Sequence, residues 1–196
     1  NTTTNVLCNG AATGSIDITI AGGTAPFNFL WNDNSILEDI SNLTAGNYNV
    51  TITDNNNCSS QFNFTINEPS FITISSVNSN ILCNGASTGA IDLTVSGGIS
   101  GYSFTWSNNA TTEDLTGVNF GSYSVTVIDN NGCAANYNTS LSQPPQLTLT
   151  KSATDADCFS ASTGSVDITV NGGIPNYTFS WNNGSSNEDL ANVVAG

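Results

Sequence analysis

The chain has 196 residues, of which 38% are hydrophobic and only 8% are charged. One Lys, no Arg and no His stand against 15 acidic residues, which gives a formal net charge of −14. Binding to nucleic acid or to anionic lipid needs clustered cations, so this balance argues against both functions. No stretch approaches the roughly 20 apolar residues of a membrane-spanning helix, so membrane insertion is not expected.

The sequence repeats itself every 75 residues without insertion or deletion, as the positions of its Cys, Trp and Gly residues show. The residues that keep this step include Cys8, Cys83 and Cys158, Trp31, Trp106 and Trp181, and Gly14, Gly89 and Gly164. A fixed period of this length indicates an array of similar structural units. We therefore predict a tandem-repeat protein of a little over two and a half units.

Within each unit, apolar residues alternate with polar ones, which is typical of β-strands with one buried face. In chain order the alternating sets are Ile16, Ile18 and Ile20, then Phe27, Phe29 and Trp31, then Tyr48, Val50 and Ile52, then Phe62, Phe64 and Ile66. The next unit opens at Ile72 and Ile74 and repeats the pattern. We predict an all-β protein of tandem immunoglobulin-like antiparallel β-sandwiches, arranged as a beads-on-a-string rod. Trp31, Trp106 and Trp181 are expected in the cores.

Prolines mark the boundaries between the units. Glu68-Pro69 matches Gln143-Pro144, each just before a new strand, where Pro interrupts continuous strand pairing. The predicted domains are repeat 1 at residues 1–69, repeat 2 at 70–144 and repeat 3 at 145–196. We expect the first to lack most of its opening strand, the second to be complete, and the third to be truncated at its C-terminal side.

The cysteines also follow the period. Cys8 and Cys58 are 50 residues apart, as are Cys83 and Cys133, whereas Cys158 has no partner at this spacing. We predict one disulfide inside each unit, with the partner of Cys158 beyond the sequence. Repeated disulfides are typical of an extracellular, oxidising setting. A zinc site is not expected, because four Cys or His ligands at close spacing are missing.

Most acidic residues occupy repeated positions. Asp54-Asn55 and its copy Asp129-Asn130 place oxygen ligands on a tight loop beside a cysteine. The favoured interpretation is that these side chains cap their own hairpin turn. The alternative is a calcium site at Asp54, Asn55, Asp129 and Asn130, because calcium takes six to eight oxygen ligands. No other cofactor is expected.

Nothing in the chain predicts an enzyme. It has no His to act as a base, and no Ser lies in a nucleophile-elbow motif. The adjacent carboxylates Glu38 and Asp39 would point to opposite faces of an extended strand, so they would not flank one substrate bond. Glu38, Asp39 and their copies are expected to be structural.

The repeated motifs resemble the SprB repeat. The resemblance lies in the run from Cys8 to Asp17, the double Gly that follows it, the aromatic strand from Tyr102 to Trp106, the run from Ala45 to Asp54, and Asn131-Gly132-Cys133. The third copy departs from the motif, with Phe159-Ser160 in place of Asn-Gly. The resemblance implies a very long surface protein of Bacteroidota, of the kind that includes a gliding-motility adhesin. It also implies export by the type 9 secretion route and display at the cell surface.

Three hypotheses for function follow. The first is a non-enzymatic adhesin stalk or extracellular filament segment, whose partners are further copies of the repeat in the same chain. The second is a multivalent module that binds surface polysaccharide through weak repeated sites. The third is a fibre in which other copies of the chain complete each other's sandwiches by strand donation.

Overall fold

A computed structural model describes residues 1–194, which form fifteen β-strands and no helix. The strands of the first repeat are β1 Thr2–Thr4, β2 Gly14–Asp17, β3 Asn28–Trp31, β4 Ile40–Leu43, β5 Gly46–Thr53 and β6 Ser59–Ile66. Those of the second are β7 Thr73–Ser79, β8 Gly89–Ser96, β9 Ser103–Trp106, β10 Leu115–Val118, β11 Gly121–Ile128 and β12 Ala134–Leu141. The third repeat contributes β13 Thr148–Thr154, β14 Gly164–Asn171 and β15 Leu190–Val193.

The first repeat has the strand order of an immunoglobulin-like sandwich. Its two antiparallel sheets have the orders β1-β2-β4 and β3-β5-β6. These correspond to strands A, B and E of an immunoglobulin constant domain on one side and C, F and G on the other, without strand D. The second repeat has the same two orders, β7-β8-β10 and β9-β11-β12. The predicted fold class is therefore confirmed.

The core of the first repeat lies between its two sheets and is built from the residues whose alternation predicted it. Trp31 is 2% exposed and pairs in register with Val50 on β5, while its ring lies 5.8 Å from that of Phe64. The buried cluster comprises Val6, Ile16, Ile18, Trp31, Ile40, Leu43, Val50, Ile52 and Ile66. In the second repeat the buried apolar residues are Ile81, Ile91, Leu93, Trp106, Leu115, Val125, Val127 and Leu141.

A tyrosine near the start of β5 ties down the preceding connection. The Tyr48 hydroxyl donates a hydrogen bond of 3.0 Å to the carbonyl of Thr44, four residues earlier. Immunoglobulin-like domains use such a tyrosine corner at the equivalent place. The sequence analysis assigned Tyr48 only to a strand and missed this role.

The chain divides into two compact units that do not coincide with the sequence repeats. One comprises Asn1–Ser76, Leu93–Glu113 and Tyr123–Asn138, and the other comprises Val77–Asp92, Asp114–Ser122 and the residues from Thr139 onward. The predicted repeat boundaries fall in the connections between β6 and β7 and between β12 and β13, and as domain limits they stay a prediction. The predicted end of repeat 3, at residue 196, lies outside the described residues.

The third repeat forms one sheet in the described part of the chain, with the order β13-β14-β15. Residues 177–181, which match β3 and β9, are not in a strand there. The prediction that Trp181 is a core residue is wrong for this structure, because its side chain is only half-buried. Trp31 and Trp106 are covered because their strands pair with β5 and β11. The described residues of repeat 3 supply no such partner strand.

Candidate functional site

The loop after the first strand of each repeat is held in place by its own motif. We call residues 5–13 and 80–88 the CNG loops, after their Cys-Asn-Gly sequence. The Thr13 hydroxyl accepts a 2.9 Å hydrogen bond from the amide of Leu7, and Thr88 does the same for Leu82 at 3.0 Å. The glycine that follows Thr13 is required by packing, because a Cβ on Gly14 would lie 2.8 Å from Ile66.

Each CNG loop also grips the segment that leaves its repeat. The Asn9 amide donates to the carbonyl of Pro69 at 3.0 Å, and the backbone amide of Gly10 donates to the Glu68 carboxylate at 2.6 Å. In the second repeat the matching bonds run from Asn84 to the Pro144 carbonyl at 3.0 Å and from the Gly85 amide to the Gln143 side chain at 2.8 Å. The Cys-Asn-Gly and Glu/Gln-Pro motifs are therefore one structural device.

The hairpin between the last two strands is organised by a nearly buried aspartate. We call residues 54–58 and 129–133 the Asp hairpins. One oxygen of Asp54 accepts the amides of Asn56 at 2.8 Å and Cys58 at 2.9 Å, and the other accepts that of Thr24 at 3.1 Å. These hydrogen bonds, above all the one from Cys58, hold the pKa of Asp54 below its ordinary value of 3.8.

Asp129 is bound in the same way in the second repeat. Its carboxylate accepts the amides of Ile99, Asn131 and Cys133, each at 2.9 Å. Here the hydrogen bond from Ile99 is the main reason that the pKa of Asp129 is lowered. Sequence reasoning placed both aspartates in the turn, but it did not find the third donor, which comes from a loop 30 residues away in each case.

The calcium alternative for Asp54, Asn55, Asp129 and Asn130 gains no support from this geometry. Both carboxylates already accept three backbone amides, as the capping interpretation expects. Among the residues that the structure describes, no three Asp, Glu, Cys or His side chains are grouped so as to hold a metal ion. Calcium binding stays a prediction.

The conserved step of the Glu-Asp pair has a structural use as well. One oxygen of Asp39 accepts the backbone amide of Ile18 at 2.9 Å, and Asp189 accepts that of Ile168 at the same distance. Ile18 is the first residue beyond β2, so Asp39 satisfies an amide where strand pairing stops. The expectation of a structural role is met for these two aspartates.

The disulfide of the structure joins two consecutive repeats. The sulfur of Cys8 in the first CNG loop is bonded to that of Cys133 in the second Asp hairpin, with the Cα atoms 5.6 Å apart and 125 residues between them in sequence. Beside the bond, the side-chain amide of Asn131 donates to the carbonyl of Leu7 at 2.9 Å. All of these residues belong to the same compact unit.

The predicted pairs Cys8–Cys58 and Cys83–Cys133 are therefore wrong. The amide of Val6 bonds to the carbonyl of Asn67, so the CNG loop lies at the end of β6. Cys58 immediately precedes the start of β6, eight residues back from Ile66. At about 3.4 Å per strand residue, β6 holds Cys8 and Cys58 on the order of 25 Å apart. A disulfide requires Cα atoms within about 7 Å.

Three cysteines carry free, exposed thiols: Cys58, Cys83 and Cys158. Cys58 is the counterpart of the bonded Cys133, and Cys83 is the counterpart of the bonded Cys8. The prediction that the partner of Cys158 lies beyond the sequence is not tested by these pairings.

The double glycines receive the segment that enters a repeat. The amide of Gly98 donates to the carbonyl of Ser70 at 2.8 Å, and that of Gly173 donates to the carbonyl of Pro145 at 2.9 Å. A Cβ on Gly97 would clash with the carbonyl oxygen of Phe71. Only glycine allows this close approach, and the positive φ of 81° at Gly97 also favours it.

The SprB repeat model matches the chain three times, at residues 1–35, 75–111 and 150–186, and these matches cover more than half of it. The chain belongs to the SprB repeat family. The three matches begin 75 residues apart, in agreement with the predicted period. The family and the disulfide together indicate an extracellular or cell-surface protein.

Other comparisons add less to this family assignment. Among solved structures, the IgVJ-C2 molecule of amphioxus is similar, with 12% sequence identity and a TM-score of 0.32 over 66% of this chain and 95% of that one. Comparison with curated proteins gave no match. In the described residues, no helix is long and apolar enough to cross a membrane.

Proposed function

We propose that this SprB-family protein is a non-catalytic segment of a cell-surface adhesin stalk, in which cross-linked sandwiches hold an adhesive element away from the cell. The observation that carries the proposal is the Cys8–Cys133 bond between consecutive repeats. A disulfide inside each domain would strengthen the domains separately. A disulfide between domains instead resists the separation of neighbours, which is what a stalk under tension requires.

The weak chemical character of the surface supports the same function. The chain carries one cation and no His, and its repeated aspartates are engaged in backbone hydrogen bonds rather than gathered around a cleft. The family resemblance extends the proposal to display on Bacteroidota cells through the type 9 secretion route, with attachment or gliding as the process served. Antibodies against the chain should then label intact cells of the producing organism.

Single-molecule pulling tests the mechanical role. A stalk segment pulled from its ends should resist extension between Cys8 and Cys133 for as long as the bond is intact. Because an extended chain spans at most about 3.6 Å per residue, adding a reductant should release roughly 450 Å of further length. An oxidised chain that extends as far as a reduced one would refute the proposal. Strong binding of the folded chain to a polysaccharide array would favour the second hypothesis instead.

A further inference from the structure

In the second repeat, the face beside the Asp hairpin is covered by elements that come from the first repeat. A cavity of about 340 Å³ there is lined by Cys8 and Asn9 of the CNG loop, by the entering segment from Pro69 to Ile72, and by Gly98, Asp129 and Cys133. The entering segment bonds to Gly98, and the CNG loop bonds to Cys133. This face thus receives a CNG loop and the segment that the loop grips.

The first repeat presents the same face without that cover. Its cavity of about 360 Å³ is lined by the counterparts Gly23, Asp54, Cys58 and Ser60, together with apolar residues that include Phe27 and Phe62. Phe62 is 44% exposed. Space above a Cβ on Gly22 is open, with nothing within 4 Å, whereas its counterpart Gly97 is in contact with Phe71.

The local geometry of the uncovered hairpin already matches that of the covered one. Asp54 accepts the amide of Cys58 at 2.9 Å, as Asp129 accepts that of Cys133. The backbone around Cys58 is therefore set as in the bonded copy, and its thiol is exposed. The first strand also differs: β1 has three residues, whereas β7, which begins in the entering segment, has seven.

We propose that this face of the first repeat is the acceptor for another repeat of the same kind, placed one period ahead of Asn1 in one polypeptide, and that Cys58 forms a disulfide with the CNG-loop cysteine of that repeat. The array is then cross-linked from each CNG loop to the Asp hairpin 125 residues further on. The entering segment lengthens β1 and covers Phe62 and the double glycine.

The chemistry of the bond is ordinary thiol–disulfide exchange. Two cysteine thiols lose two protons and two electrons, and a low-molecular-weight disulfide accepts them and becomes two thiols. The thiolate of one cysteine first forms a mixed disulfide with this oxidant, and the second cysteine displaces the remaining thiol. Docking of the CNG loop brings the two sulfur atoms together.

The chain itself offers the donor for a test. The CNG loop of the second repeat makes the same contacts as the first, through Asn84 and Gly85, so its Cys83 is competent to act as donor. An extended protein carries a copy of residues 76–150 directly ahead of the complete chain, which preserves the 75-residue step. It is refolded with oxidised and reduced glutathione and isolated as a monomer. Free thiols are alkylated, and the bonds are mapped by mass spectrometry without reduction.

The expected result is a bond between Cys83 of the added repeat and Cys58, in addition to Cys8–Cys133. Changing Cys83→Ser in the added repeat alone should abolish the new bond, whereas the same change in the original second repeat should leave it intact. Monomers in which Cys58 is alkylated, or bonded to any other cysteine, would overturn the proposal. So would a preparation that forms neither bond, because the added period should extend the same packing.

A second measurement tests docking separately from oxidation. In the extended protein with Cys58→Ser, the amide of Gly23 should exchange with solvent at least tenfold more slowly than in the original chain, because its counterpart Gly98 donates to the entering segment. An unchanged exchange rate at Gly23 would show that the added repeat does not cover this face, and would refute the docking part of the proposal.

Discussion

Removing the bond between repeats should destabilise the first compact unit by a large and calculable amount. Both cysteines lie in that unit, so its unfolding opens the whole loop of 125 residues closed by the disulfide. On the chain-entropy model, a loop of this length stabilises the folded state by about 5 kcal/mol. We therefore expect Cys133→Ser to lower the free energy of unfolding by about 5 kcal/mol. With a urea m-value of about 2 kcal/mol/M, the midpoint should fall by roughly 2.5 M.

The assay is urea unfolding followed by the fluorescence of Trp31 and Trp106, which are both buried in this unit. Cys58→Ser is the matched control, because Cys58 occupies the same hairpin position but is free and exposed. We expect that variant to differ from the parent by less than about 0.5 kcal/mol. If Cys58→Ser proves as costly as Cys133→Ser, or if Cys133→Ser costs nothing, the reasoning from loop closure between repeats is refuted.

Four further predictions follow from the contacts. Gly97→Ala should cost about 3 kcal/mol, because it adds a clash with the entering segment to the cost of a positive φ, whereas Gly22→Ala should cost only about 1 kcal/mol; equal losses in thermal or urea unfolding would contradict the close approach. Tyr48→Phe should cost about 1 kcal/mol in the same assay through loss of the corner hydrogen bond, and an unchanged stability would show that this bond contributes nothing. Because the folded pKa values of Asp54 and Asp129 are lowered, their contribution to stability is complete above about 3.8 and is lost as the pH falls through the folded values; the double change to Asn should flatten unfolding free energy against pH below 4, and an unaltered slope would refute the assignment. Adding EDTA should leave the melting temperature unchanged, since both carboxylates already accept backbone amides, and a fall of several degrees would establish the calcium alternative.

The strands with strict alternation could be predicted from sequence, whereas β4 could not. In β4 the buried residues Ile40 and Leu43 are three positions apart. The pairing of β4 with β2 shifts register between Gly14 and Ser15, and Asn42 has a φ of 57°. Such a bulge adds a residue to one strand, so its apolar residues no longer alternate.

The disulfide pairing illustrates a different limit. A cysteine pattern that repeats every 75 residues fits a bond inside each unit, 50 residues apart, as well as one to the next unit, 125 residues apart. Spacing alone cannot separate the two. The decision depends on strand topology, because β6 carries the chain from the Asp hairpin to the opposite end of the sandwich, where the CNG loop lies. The hydrogen-bonded loops themselves were visible in sequence as Asp-Asn and Thr-Gly motifs, but their distant partners were not.

The linking of consecutive repeats is tested most directly by mapping the disulfide of the oxidised 196-residue chain. The protein is alkylated, digested without reduction and examined by mass spectrometry. We predict one bonded peptide pair, containing Cys8 and Cys133, with Cys58, Cys83 and Cys158 alkylated. Bonded pairs of Cys8 with Cys58 and of Cys83 with Cys133 would contradict the account and return each bond to its own repeat.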